Sequence, residues 1–145
     1  MEPELKPRIF TIDEANSLVP LLEKTFDKVF ELSSVMHILS KDLRDLVNVW
    51  GDSIFSEKNP DNKYYKELLS KRDEVTEIIN RSLNKLHSLG CIIKDVDKGL
   101  VDFYHRHNSK TVFLCWRYGE KKIQFWHDMS AGFIGRRNVE DLVEN

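Results

Sequence analysis

Residues 86–103 read LHSLGCIIKDVDKGLVDF, and the fold class is decided at Gly90 within them. Upstream of this glycine, apolar side chains recur every three or four positions. Downstream they alternate and become β-branched or aromatic. A change of period from 3.6 to 2 marks the passage from an amphipathic helix to half-buried strands, and Gly90 is placed as the helix's C-terminal cap.

Working back from Gly90, the stripe Tyr65, Leu68, Leu69, Val75, Ile78, Ile79, Leu83, Leu86 and Leu89 predicts one long helix. Residues 51–62 (GDSIFSEKNPDN) have the composition of a connection, anchored by Ile54 and Phe55. Before them, Thr11 and Glu14 form a T-x-x-E capping box, in which hydroxyl and carboxylate each satisfy an orphaned backbone N–H. Apolar spacing from Ile12 through Val19, Leu22, Phe26, Leu39, Leu43 and Leu46 to Trp50 then predicts a first helix over about residues 12–50. Pro20 lies inside it, and a kink or short break is expected at Asn16 to Pro20.

Forward from Gly90, four strands are readable: Cys91–Lys94, Leu100–Arg106, Thr111–Tyr118 and Lys121–His127. Short connections make neighbours antiparallel. The predicted class is α+β, a long antiparallel helical hairpin (about 11–90) followed by a four-stranded antiparallel β-meander and tail (about 91–145), in a single domain spanning 1–145. With a two-residue Gly119-Glu120 loop, Trp116 falls opposite Ile123, Leu114 opposite Phe125 and Val112 opposite His127. These make one apolar face. Phe113, Cys115, Arg117, Lys122, Gln124 and Trp126 occupy the other, to be used as an interaction surface or covered by the Gly132–Arg137 loop. The second helix is the shorter, so the meander is expected to fold over residues 11–22 and make the main core there. Leu18, Leu22, Leu114, Trp116 and Phe125 would share it.

The 145 residues carry 22 basic and 24 acidic side chains, a formal net charge of -2. Nucleic acid is not expected as a partner, because residues 90–145 hold nine Lys or Arg against eight Asp or Glu and release few counterions. No long apolar run or leader-like segment is present, so a cytoplasmic chain without membrane contact is expected. Cys91 and Cys115 lack CxxC spacing and are expected to be reduced, with Cys115 filling space in the sheet. His105-x-His107 offers two imidazoles on one side of a strand but no third ligand. Neither a metal nor a cofactor is expected, and no phosphate loop, dinucleotide fingerprint, zincin motif or nucleophile elbow is present.

Five polar residues are candidate binding groups: Asp102, Arg117, Glu120, His127 and Arg136. Each also has a plainer role. Asp102 would cap the turn after Asp95 or pair with Arg117, Glu120 would serve as a turn residue, and His127 would be a hydrogen-bonded core histidine. Arg136 or Arg137, set in a glycine-flanked loop, would meet Asp102 or Glu120 near His127.

Thr11-x-x-Glu14-Ala15-Asn16, Gly99-Leu100-Val101-Asp102-Phe103, Leu114-Cys115-Trp116-Arg117-x-Gly119-Glu120, Trp126-His127 and Gly132-Phe133-x-Gly135-Arg136-Arg137 together resemble an uncharacterised bacterial domain-of-unknown-function family. The resemblance covers most of the chain. It implies a small cytosolic protein with a helical hairpin and a small sheet, and it supplies no activity. Tyr104 departs from the proline expected after the Asp-Phe pair. The function read from the residues is a structural or protein-interaction module, a homodimer formed through the helical hairpin. The alternative is a small-molecule-binding protein or enzyme that uses the sheet's polar residues and the Gly-Phe-x-Gly-Arg loop.

Overall fold

The computed structural model describes residues 7–143. Helix α1 spans Ile12–Trp50, a 3-10 turn spans Gly51–Phe55, and helix α2 spans Asn62–Ser88. Strands β1 (Ile92–Asp95), β2 (Leu100–His107), β3 (Lys110–Arg117), β4 (Phe125–His127) and β5 (Arg137–Asn138) follow, with a 3-10 turn at Phe133–Gly135 and a last helix α3 at Glu140–Val143. The sheet is antiparallel in the order β1-β2-β3-β4-β5. An α+β chain with a helical hairpin is therefore correct, and the fifth strand comes from the tail.

The helix ends are built as the sequence predicts. Thr11 N–H donates to Glu14 Oε1 and Glu14 N–H donates to Thr11 Oγ1, each at 3.0 Å. These bonds hold the Glu14 carboxyl below its ordinary range. Past the end of α2, Gly90 has φ +100°, while its N–H donates to the His87 carbonyl and the Cys91 N–H donates to the Leu86 carbonyl. Both bonds belong to the left-handed glycine cap, and a side chain at Gly90 would meet Arg8 and Phe10 at 3.0 Å. Pro20 does not break α1, which is helical throughout. Only one backbone donor is lost there, and the burial of Val19 and Leu22 on either side holds the turn in place.

Contacts gather the chain into two compact units, one of residues up to Phe26 with those from Leu83 onward, the other of Asp27–Ser82. In the second, Leu39, Leu43, Leu68 and Val75 form a buried seam with Leu32, Val35, Met36, Leu46, Tyr65, Leu69 and Ile79 packed around it. The two antiparallel helix segments cover most of that stripe themselves. Trp50 and Phe55 stay exposed, and with them Ile38, Val47, Val49 and Tyr64. Ile54 anchors the connection, fully buried, with its carbonyl accepting from Asn62 Nδ2 at 2.8 Å.

In the first unit, one face of the sheet packs on the start of α1. Val101, Phe103, Val112, Leu114, Trp116 and Trp126 are buried with Ala15, Val19, Leu22 and Phe26. Trp116 lies 5.9 Å from Phe26 between ring centroids. Beyond the end of β1, Ile9 and Phe10 take up the edge of β2, with Phe10 N–H donating to the Tyr104 carbonyl at 2.7 Å.

One expectation about the sheet is overturned. Leu114 pairs with Trp126, Cys115 with Phe125 and Phe113 with His127, one residue away from the predicted register. The reason is the path of residues 118–124. Glu120 N–H donates to the Arg117 carbonyl and Trp116 Nε1–H donates to the Glu120 carbonyl, closing a compact turn directly after β3. Ile123 N–H then donates to Asn16 Oδ1 of α1 at 2.7 Å, so this segment leaves the sheet before β4 begins at Phe125. A one-residue slip reverses the face of every side chain. Trp126 therefore joins the core, while Phe125 and His127 lie on the opposite face with Cys115. Leu18 is only half-buried.

Candidate functional site

The face of the sheet turned away from α1 carries Leu100 and Asp102 from β2, Phe113, Cys115 and Arg117 from β3, and Phe125 and His127 from β4. The chain from Met129 to Arg136 passes over it. Met129, Ala131, Gly132 and Phe133 close a cavity of about 130 Å³ whose walls include Asp102, Cys115 and His127. Covering by the glycine-bearing loop, one of the outcomes expected from the sequence, is the one found.

Arg136 fastens the cover. Its Nη1–H groups donate to both Glu120 oxygens at 3.0 and 3.1 Å, and its guanidinium lies 4.2 Å from the Phe125 ring centre and 4.0 Å from that of Phe133. Glu120 is more than a turn residue, since its Oε1 also accepts the Arg117 N–H at 2.6 Å. The expected meeting of Arg136 with Glu120 is thus present. Arg137 instead reaches Asp128, at 3.8 Å.

Beneath the cover, His127 Nε2 lies 3.0 Å from Asp102 Oδ2, and both side chains are almost wholly buried. Asp102 neither caps the β1–β2 turn nor pairs with Arg117. His127 Nδ1 lies 2.9 Å from the Asp128 carbonyl, which can only accept, so Nδ1 carries a proton. Burial pushes the Asp102 carboxyl upward, opposed by the charge of His127. The Asp128 side chain is held in turn by Lys110 at 2.8 Å, which lowers its carboxyl below the ordinary range.

The third member is Cys115, whose Sγ lies within 4.8 Å of donor atoms of Asp102 and His127. Burial, with the Asp102 charge adding to it, pushes this thiol up to about 12. It is protonated at neutral pH and is no activated nucleophile. The sequence reading took Cys115 for packing alone. A signal was present: Asn108 and Ser109 both have positive φ, so His107 pairs with Lys110 across a two-residue turn, and counting back sets Asp102 opposite Cys115. Asp102, Cys115 and His127 are the one group of three His, Cys, Asp or Glu side chains among the described residues with donor atoms mutually within 4.8 Å. His105 and His107 form no such group. His105 Nδ1 is bonded to the Phe10 carbonyl at 2.7 Å, and His107 lies in the turn beside Asn108.

Outside the small cavity lies a larger one, of about 410 Å³, lined by Lys98, Leu100, Arg117, Gly132, Phe133 and Ile134. The two share Leu100, Gly132 and Phe133. Arg117 stacks 5.2 Å from the Phe133 ring centre, and Ile134 is fully exposed at the lip. Among the described residues no helix is long and apolar enough to cross a membrane.

A model of the family described as Uncharacterized conserved protein (DUF2203) matches residues 8–139. No curated protein and no solved structure matches the chain.

Proposed function

Because the chain belongs to the DUF2203 family of uncharacterized conserved proteins, a membership that brings no activity with it, we propose a function from the site itself: binding of a small anionic ligand on the covered face of the sheet. The observation that carries this reading is the cavity of about 410 Å³, a size in the range of small-molecule sites, with Lys98 and Arg117 as the charged groups on an otherwise apolar wall. A carboxylate or phosphate would meet the two cations. Its apolar body would lie on Leu100, Phe133 and Ile134. The Arg136–Glu120 pair, with the Arg136 guanidinium against the Phe125 and Phe133 rings, holds the cover in position, so the site is largely formed before ligand arrives. The two buried free cysteines, Cys91 and Cys115, fit a reducing cytoplasm as its place of work.

The test is a thermal-shift screen with aliphatic and aromatic carboxylates and phosphate monoesters. At least one probe should raise the melting temperature saturably. Charge reversal of the exposed pair, Lys98→Glu with Arg117→Glu, should weaken that probe at least about tenfold while leaving the unliganded melting temperature within a few degrees. A screen without a saturable shift, or undiminished binding in the reversed variant, would refute the reading.

Self-association through the helical hairpin is a second reading, supported by a separate observation. Ile38, Val49, Trp50, Phe55 and Tyr64 are exposed in the unit Asp27–Ser82, a large apolar display for a small helical pair. A second copy packed against this unit would make a four-helix bundle and cover them. Light scattering at micromolar concentration should return twice the chain mass of 17.1 kDa, and Ile38→Lys with Val49→Lys should return the monomer. A wild-type monomer at that concentration would count against it.

A further inference from the structure

We propose that Asp102, Cys115 and His127 form a binding site for a divalent transition metal, with zinc the ion that suits their donors best. The inference goes beyond anion binding and stands without it. β2, β3 and β4 each contribute one ligand, and the three side chains are 2%, 2% and 3% exposed. Their donor atoms, one oxygen, one sulfur and one nitrogen, lie within 4.8 Å of one another. Magnesium and calcium favour oxygen alone, whereas thiolate with imidazole and carboxylate is a borderline-soft set that zinc accepts in tetrahedral geometry.

The Asp102–His127 spacing is close to what such an ion requires. Ligand atoms about 2.1 Å from a tetrahedral centre stand about 3.4 Å apart. Asp102 Oδ2 and His127 Nε2, now 3.0 Å apart across a hydrogen bond, need to open only slightly. The imidazole is already oriented. Its Nδ1–H donates to the Asp128 carbonyl, which leaves Nε2 for the ion, the arrangement that outer-shell carbonyls give to metal-binding histidines. Lys110 and Arg137 hold Asp128 in turn.

Charge balance points the same way. Thiolate, carboxylate and neutral imidazole around a divalent ion sum to no net charge. A buried site is thus loaded with no uncompensated charge. Three protein ligands leave one position open, toward the cavity of about 130 Å³ under Gly132 and Phe133. An open fourth position distinguishes a reactive or ligand-binding zinc from a closed structural one.

The experiment strips the full chain with a chelator and titrates it with Co²⁺, then with Zn²⁺. One equivalent of Co²⁺ per chain is expected, with a thiolate-to-cobalt charge-transfer band that Zn²⁺ abolishes. Cys115→Ser should lose the band and weaken zinc binding at least about tenfold, while Cys91→Ser should keep both. X-ray absorption of zinc-loaded wild-type and Cys91→Ser protein should show one sulfur and otherwise lighter scatterers, a readout that survives if Cys115→Ser fails to fold. Absence of stoichiometric metal in the wild type, a band that persists in Cys115→Ser, or a shell without sulfur would overturn the site. None of these outcomes depends on Lys98 or Arg117, so failure of the anion reading is read separately.

Discussion

Trp116→Ala is expected to destabilise the protein by about 3–5 kcal/mol, among the largest effects of any single substitution in the sheet. The indole is fully buried and packs on Phe26 at 5.9 Å and edge-on to Tyr118 at 6.3 Å between ring centres. Truncation removes those contacts and leaves a cavity between the sheet and the start of α1. It also removes the Nε1–H bond to the Glu120 carbonyl at 2.8 Å, one of the bonds that close the turn after β3. For a chain of this length the loss corresponds to a fall in melting temperature of roughly 10 °C or more, measurable by calorimetry. Trp116→Phe keeps most of the packing and lacks the donor. It should cost clearly less, and an alanine variant with near wild-type stability would mean that the sheet does not pack on α1 as described.

Asp102→Ala is the second large effect, again about 3–5 kcal/mol, and for a different reason. Little volume is lost, but His127 is left 3% exposed with no partner for Nε2. Desolvation of a polar or charged group without a partner dominates the cost. Asp102→Asn keeps the shape and one hydrogen bond, so it should fall between wild type and alanine. The double variant Asp102→Ala with His127→Ala should cost less than the sum of its parts, because each single change strands a group that the double change removes. Urea midpoints at neutral pH in a chelating buffer supply all four values. Melting temperatures unchanged in both single variants would remove the structural role of the pair and leave ligand or metal as the reason for its burial.

The helices were legible because their signals are local. Thr11 and Glu14 cap each other across three residues, Gly90 N–H and Cys91 N–H close α2 on the His87 and Leu86 carbonyls, and a stripe of period 3.6 needs only some surface to cover it. The β2–β3 hairpin is equally local, since its two-residue turn at Asn108 and Ser109 sets the pairing of Asp102 with Cys115.

The placement of β4 is not local. It depends on the bond from Ile123 N–H to Asn16 Oδ1, between residues 107 apart in the chain, and no periodicity within 118–127 records it. That bond takes residues 121–124 out of the sheet, moves the register by one and carries His127 from the core face to the side of Asp102 and Cys115. Asp102, Arg117, Glu120, His127 and Arg136 were thus identifiable one by one from type and position, whereas Cys115 read as packing and Lys98 carried no signal of its own. Of their partners, the meeting of Arg136 with Glu120 was legible from the glycine-flanked loop that carries the arginine. Composition and spacing determined an α+β chain with a helical hairpin, an antiparallel meander and a polar strand face under a glycine-bearing loop. Which β4 residues share that face was decided by tertiary structure alone, because strand side chains alternate with period two and one distant hydrogen bond selects between two opposite assignments.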